Sequence, residues 1–149
     1  MQIKPLDEIN QITQVIIGCA FTVSNSLGSG FMEKVYENAL GHEIRKRNLA
    51  VEQQHPIHIM YDGVLVGDFV ADLFVEQCVI VELKTVQALT DVHMGQCMNY
   101  LRATGTPVCL LINFYKPRLE YKRIVQKSIL GLKLVSDEDP DSQYQIDQT

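Results

Sequence analysis

Apolar residues in the first third of the chain follow a helical period. Between residues 8 and 26 they recur at steps of three and four, which is the spacing of an amphipathic helix, and Gly28 ends the pattern. A looser stripe with the same period runs from residue 33 to residue 48, after the Gly28-Ser29-Gly30 link. The sequence therefore predicts two helices joined by a short link that contains glycine.

From residue 51 onward the apolar pattern changes to that of strands. Residues 51–61 show an alternation of apolar and polar side chains, and Asp62-Gly63 is a strong hairpin signal. In the strand that follows the turn, strict alternation places Ala71 and Leu73 on one face and Asp72 on the other. We therefore expect a β-hairpin after the two helices.

The rest of the chain predicts a crossover helix between buried strands. The predicted elements are a strand at 78–84, a helix from Thr90 to about Arg102, an apolar strand at 108–114 and a strand at 119–125. The complete order predicts an α/β fold with a mixed central β-sheet flanked by helices. The last strand is expected at the sheet edge, where it could pair with a second copy or another protein.

Composition is typical of one compact domain. A chain of 149 residues with 46% hydrophobic residues suits a single core, which we place at residues 1–125. Residues 126–149 are rich in Asp and polar residues, and we expect an acidic, partly disordered C-terminal extension. No stretch reaches the roughly 20 apolar residues of a membrane span and no signal peptide is evident, so we expect a cytoplasmic protein.

The cysteines and the charge restrict the possible partners. The four cysteines show no Cys-x-x-Cys spacing, which predicts buried reduced thiols and no metal cluster. A net charge of −5 weakens, but does not exclude, the interpretation as a nucleic-acid-binding protein. Basic residues are either phosphate contacts or ordinary surface charge. They occur in two groups: Arg45, Lys46 and Arg47, and Lys116, Arg118, Lys122 and Arg123.

Candidate chemistry lies at the end of the 78–84 strand. Alternation puts Glu82 and Lys84 on the same face, and Asp72 joins them if the two strands are antiparallel neighbours. Two converging carboxylates repel each other unless a cation lies between them, and oxygen ligands favour Mg²⁺ or Mn²⁺. The adjacent lysine can orient water or offset charge on a phosphate oxygen. The same pattern is also typical of a solvated strand face or of a structural ion pair.

Two helices carry further polar candidates. His93, Gln96 and Tyr100 share one face of the predicted 90–102 helix and can reach the end of the sheet. Glu33, near the start of the second helix, is either a third carboxylate ligand or an acid that complements the helix dipole. Tyr36, one turn later on the same face, either holds Glu33, contacts a phosphate or is a core tyrosine.

Together these motifs resemble a known family. The pattern Gly30-x-x-Glu33-x-x-Tyr36, with Asp72, Glu82-Leu83-Lys84 and Gln96-x-x-x-Tyr100, is similar to that of the GxxExxY protein family. That family is a branch of the PD-(D/E)xK nuclease-like superfamily with similarity to RecB-type nucleases. The resemblance runs from about Ile9 to Val125. It implies a restriction-endonuclease-like core.

The resemblance also implies roles for individual residues. Asp72 and Glu82 would be the metal ligands together with the Leu83 backbone carbonyl, and Lys84 would position the attacking water. Glu33 corresponds to the additional helical acid. Gln96 and Tyr100 correspond to the helix motif that supports the site and the nucleic-acid backbone. The superfamily's proline before the first acid is replaced by Ala71.

The function expected from these residues is that of a Mg²⁺- or Mn²⁺-dependent nuclease that hydrolyses phosphodiester bonds of DNA. The alternative is a nucleic-acid-binding or protein-interaction module that keeps the nuclease fold without turnover.

Overall fold

Three helices and six strands make up the part of the chain that the structure describes. This computed structural model describes residues 3–130 and 144–148. The helices are α1 (Leu6–Leu27), α2 (Glu33–Lys46) and α3 (Asp91–Thr104). The strands are β1 (Val51–Tyr61), β2 (Val64–Val75), β3 (Val79–Lys84), β4 (Val108–Asn113), β5 (Glu120–Gln126) and β6 (Tyr144–Gln148). The predicted helices and the first five strands are confirmed, with ends shifted by a few residues at most.

The strands form a single mixed sheet in chain order, β1-β2-β3-β4-β5-β6. Only β3 and β4 pair in parallel, and α3 makes the crossover between them; every other neighbouring pair is antiparallel. A parallel pair requires such a crossover because its second strand must start at the same sheet end as the first. The predicted α/β class with a mixed sheet is therefore confirmed.

The sheet has a hydrophobic core on each face. Residues of α1 and α2 pack against one face, with buried strand residues such as Val81 and Leu110. Residues of α3, including Cys97 and Leu101, pack against the other face with Ile80 and Leu111. Each buried strand carries apolar residues on both faces, which explains the nearly continuous apolar run in β4.

The strict alternation that we expected in β2 is wrong at Asp72. Ala71 and Phe74 both belong to the core on the α3 side, whereas Leu73 belongs to the core on the α1 and α2 side. Opposite Asp72 in the β1–β2 register lies Gln54, whose φ of 55° is left-handed. The left-handed residue interrupts the pleat of β1, and the alternation of β2 breaks at the residue opposite it.

The last predicted strand is not an edge strand. β6 pairs with β5 along its length, so the expectation of an exposed edge at 119–125 was wrong. An ion pair strengthens the pairing, since Arg123 Nη1 lies 2.9 Å from Asp147 Oδ2. The segment 131–143 of the predicted C-terminal extension lies outside the described residues, and the domain boundary at residue 125 stays a prediction.

Two further expectations concern the cysteines and the membrane. Cys19, Cys78, Cys97 and Cys109 are all buried and free, as predicted. Among the described residues, no helix has the length and apolar character needed to cross a membrane.

Candidate metal centre

Asp72 and Glu82 lie opposite each other where β2 and β3 separate. The last regular pair of the two strands is Leu73 with Val81, one residue before this position. Beyond it, side chains replace the backbone ladder: the Asp72 N–H donates to Glu82 Oε1 at 3.2 Å, and the Leu83 N–H donates to Asp72 Oδ2 at 2.8 Å. The structure therefore brings the two predicted carboxylates together.

Burial makes this pair of carboxylates electrostatically costly. Glu82 is only 5% exposed, and burial, followed by the charge of Asp72, raises its pKa to about 8. Burial also raises the pKa of Asp72, while the hydrogen bond from the Leu83 N–H acts in the opposite direction. Two negative charges side by side are thus disfavoured here, and a bound proton or a cation would relieve their repulsion.

Lys84, a half-buried residue, lies at the same end of β3. Its charge lowers the pKa of both Asp72 and Glu82, although less than burial raises it. Lys84 forms no ion pair within 4.0 Å with any described residue, so its ammonium group is available to a ligand. The backbone beyond it is fixed, because Asn113 bonds both the N–H and the carbonyl of Val86.

Glu33 and Tyr36 lie at opposite extremes of exposure at the start of α2. Glu33 is exposed, and its negative charge contributes to the raised pKa of Asp72 and of Glu82, which places it near the pair. Tyr36 is fully buried and stacks on Phe114, with ring centroids 4.6 Å apart. Its hydroxyl donates to the Gly28 carbonyl at 2.7 Å. Tyr36 therefore holds the link before α2 and does not face a ligand.

The polar face of α3 divides into two parts. Gln96 Nε2 donates to the Tyr100 hydroxyl at 2.9 Å. Burial and then the nearby charge of Glu82 raise the pKa of Tyr100 to about 12, so Tyr100 belongs to the surroundings of the carboxylate pair. His93 has a different position: its Nδ1 accepts the Thr90 N–H at 3.0 Å and thereby caps the start of α3. His93 thus supports the helix and makes no contact with the carboxylates.

A second buried acid, Glu37, lies beside Asp72 and was missed by the sequence analysis. It is 3% exposed. Its Oε2 accepts hydrogen bonds from Lys34 at 2.8 Å and Gln53 at 2.7 Å, and its Oε1 accepts from Gln54 at 2.5 Å. Gln54 Nε2 also makes a long 3.5 Å contact with Asp72 Oδ1. Gln54 therefore links the satisfied acid of α2 to the candidate centre.

A weak signal for this link exists in the sequence. Glu37 follows Glu33 by four residues, the spacing that puts two side chains on one helix face, and two adjacent glutamines interrupt the apolar alternation of β1. No local sequence pattern shows that α2 and β1 pack against each other. Gln54, which is not a glycine, has a left-handed backbone. Such a conformation costs about 1 kcal/mol and is enriched at functional sites.

The donor chemistry of Asp72 and Glu82 fits a hard divalent cation. Glu82 is buried, Asp72 is half-buried, and neither forms an ion pair with a described residue. The two carboxylates supply oxygen ligands, and a divalent ion would remove the repulsion between them. Within residues 3–130 and 144–148, however, no group of three His, Cys, Asp or Glu side chains lies close enough to hold an ion. The protein side chains that fit are therefore these two carboxylates alone.

Several of the predicted basic residues form contacts within the protein. Arg45 donates to Gln53 Oε1 and to the Val51 carbonyl. Lys46 pairs with Glu43, and Arg123 with Asp147 and Asn10. These contacts favour a structural role for Arg45, Lys46 and Arg123.

Comparisons with known proteins give one result. A family model described as the PD-(D/E)XK nuclease superfamily matches residues 10–124, which covers the candidate centre, all three helices except the first turn of α1, and most of the sheet. No curated protein and no solved structure matches the chain.

Proposed function

The chain belongs to the PD-(D/E)XK nuclease superfamily, and from this membership we propose that it is a metal-dependent nuclease that hydrolyses phosphodiester bonds of DNA. Its mixed six-stranded sheet with three helices agrees with the restriction-endonuclease-like fold. Members of this superfamily generally use divalent metal ions. The choice of Mg²⁺ or Mn²⁺, DNA as the polymer and the narrower GxxExxY relationship are parts of the proposal.

The observation that carries the proposal is the pair of facing carboxylates, buried Glu82 and half-buried Asp72, with the unpaired Lys84 at the same end of β3. Asp72 and Glu82 would hold the ion, with the Leu83 carbonyl as a backbone ligand, and Glu33 adds negative charge nearby. When bound, such an ion supplies Lewis-acid polarisation of a phosphate oxygen and lowers the pKa of water. The unusual cost of burying two acids together is understandable if a cation normally offsets it.

The residues around the pair have distinct tasks. The Lys84 ammonium donates hydrogen bonds to the attacking water or to a phosphate oxygen and offsets negative charge that develops on the phosphate. Gln96 orients the Tyr100 hydroxyl beside Glu82. Gln54 and Glu37 act as positioning residues, because they fix β1 against α2 next to Asp72.

A cleavage assay tests the proposal. End-labelled single-stranded, duplex and branched DNA would be incubated with the protein in Mg²⁺, Mn²⁺ or EDTA. We expect cleavage only with a divalent ion, and a loss of at least 100-fold in Lys84→Ala, Asp72→Asn and Glu82→Gln, since each removes charge used in the transition state. Lys46→Ala, an exposed lysine on α2, is the matched control and should retain full activity.

The second candidate is a nucleic-acid-binding or protein-interaction module without turnover. The lack of a third side-chain ligand among the described residues favours it. This alternative predicts no cleavage under any metal condition and unchanged nucleic-acid binding in Lys84→Ala. These two results together would exclude the proposal that the protein is a nuclease.

A further inference from the structure

A groove of about 870 Å³ lies between α3 and the β1–β2 hairpin. We call it the α3–hairpin groove. Apolar side chains that remain in contact with solvent form much of its wall: Met60 is 57%, Phe69 48% and Val92 78% exposed. Its volume lies within the roughly 300–1,000 Å³ of pockets that bind small molecules. Apolar surface gathered in a concave site indicates a ligand with a flat or apolar part.

Aromatic rings give the groove a surface for stacking. The ring centroid of Phe69 lies 5.7 Å from that of Tyr100, with the planes tilted by 46°. Tyr100 is buried, whereas about half of Phe69 remains exposed beside it. The buried ring thus supports the exposed one. A nucleobase presents the flat π surface that stacks on such a ring.

The groove lies next to the candidate metal centre. Gln96 and Tyr100 line it, and Tyr100 belongs to the same hydrophobic cluster as Ala71, the residue before Asp72. Phe69, which also lines the groove, lies three residues before Asp72 on β2. A nucleic-acid strand with one phosphate at the carboxylate pair would therefore carry a neighbouring nucleotide into the groove.

The charge of the lining suits a polyanion. The described residues that line the groove include Arg102 and His58 and no aspartate or glutamate, although the whole chain carries −5. His58 contacts Asp68, outside the lining, at 2.6 Å. Arg102 is therefore the cation that can approach a backbone phosphate, because no described residue forms an ion pair with it.

The apolar walls distinguish between forms of the nucleic acid. In a duplex the bases are stacked within the helix, and the outer surface is dominated by charged backbone, which requires many cationic contacts. The α3–hairpin groove offers one arginine and several apolar side chains. It therefore suits unpaired bases better than a duplex.

We propose that the α3–hairpin groove binds unpaired nucleotides of a nucleic-acid strand, with a base stacked on Phe69. The assignment rests on the proposed function in placing the adjacent phosphate at the metal centre. It deepens that function by naming single-stranded DNA, or the unpaired part of a larger substrate, as the form that reaches the centre.

Binding without divalent ions tests the groove separately from cleavage. Fluorescence anisotropy in EDTA and low salt would compare labelled dT20, a hairpin duplex of equal length, and dT20 in which central bases are replaced by abasic sites. We expect dT20 to bind at least tenfold more tightly than either of the other two. Equal affinity for intact and abasic strands would overturn the proposal, and this comparison needs only the unmodified protein.

Substitutions at Phe69 test whether a nucleobase stacks on its ring. Phe69→Ala should weaken dT20 binding about tenfold and leave binding of the abasic strand unchanged, because stacking contributes roughly 1 to 3 kcal/mol per base. Phe69→Tyr should restore binding. The matched control is Val70→Ala, since Val70 is the next residue of β2, is 47% exposed and does not line the groove. Equal losses in Phe69→Ala and Val70→Ala would overturn the assignment.

Two further measurements distinguish base binding from self-association and from catalysis. If Phe69→Ala converts a dimer to a monomer in sedimentation and leaves dT20 binding intact, the groove pairs with a second copy and the proposal fails. Cleavage with Mn²⁺ is scored independently. Base-dependent binding without cleavage would support the groove and refute the nuclease, whereas cleavage without base-dependent binding would refute the groove alone.

Discussion

Glu37 and Glu82 are two buried glutamates on either side of Asp72, and they differ in what surrounds them. Glu37 is 3% exposed and receives three side-chain hydrogen bonds, one of them from a lysine. Glu82 is 5% exposed and receives one backbone N–H at 3.2 Å, while Asp72 faces it as a second acid. The two side chains are buried to a similar extent, but only Glu37 has donors that compensate its charge.

The number of hydrogen-bond donors around a buried carboxylate therefore distinguishes a structural acid from a candidate metal ligand. A buried carboxylate is stable when donors satisfy its oxygens, as in Glu37. A buried carboxylate that lacks donors and faces another acid keeps free acceptor capacity for a cation. The exposed fractions alone would not distinguish Glu37 from Glu82.

The largest effects are expected when Glu82 and Glu37 are each replaced by glutamine. In EDTA at pH 8.5 we expect Glu82→Gln to raise the free energy of unfolding by roughly 2 kcal/mol, because it removes a desolvated charge and its repulsion with Asp72. Urea denaturation measures this change. A structural ion-pair cluster predicts the opposite sign, so a destabilised Glu82→Gln protein would contradict the metal-centre interpretation.

Glu37→Gln should act in the opposite direction. We expect a loss of about 1 to 2 kcal/mol in the same buffer, since the new amide N–H groups would face the Lys34, Gln53 and Gln54 donors. Urea denaturation again gives the value. Glu8→Gln, at an exposed pair with Lys4, is the control and should change stability by less than about 0.5 kcal/mol. A neutral Glu37→Gln would show that the donor network contributes little.

The stability of the unmodified protein should depend on pH through Glu82. Its pKa is raised in the folded state from an ordinary 4.5 to about 8, so the folded protein binds the proton more tightly than the unfolded chain. The resulting stability is complete below pH 4.5 and is lost as the pH rises to about 8. Thermal unfolding in EDTA from pH 5 to pH 8.5 should show this decline, and Glu82→Gln should flatten it by roughly 1 kcal/mol or more.

The smallest effect should occur at Gln54. Glycine accepts a φ of 55° without strain but loses the hydrogen bond to Glu37, and these terms nearly cancel, so Gln54→Gly should change stability by less than about 1 kcal/mol. Gln54→Ala keeps the strain and loses the bond, and should be the less stable variant in chemical denaturation. The reverse order would mean that the left-handed backbone carries no cost.

Much of the fold could be predicted because its signals are local. Helical periods and alternating runs gave the three helices and first five strands, and Asp62-Gly63 gave a turn in which both residues have positive φ, as its composition predicts. The strand β6 was missed, although Tyr144 and Ile146 alternate with polar residues, because the acidic composition of the segment dominated its interpretation. Its existence depends on pairing with β5, which is not a local property.

The amino-acid sequence alone showed which residues could supply the chemistry. They are two acids and a lysine at the ends of strands, with Gln96 and Tyr100 on a helix, in the order of a nuclease superfamily. The environments of these residues differ because of the tertiary structure. It buried Glu82 against Asp72, satisfied Glu37 through β1, left Glu33 exposed and placed Gln54 in a left-handed conformation. The burial of each carboxylate and the hydrogen-bond donors around it depend on which segments, distant in sequence, pack together. A periodic pattern within one segment does not contain that information.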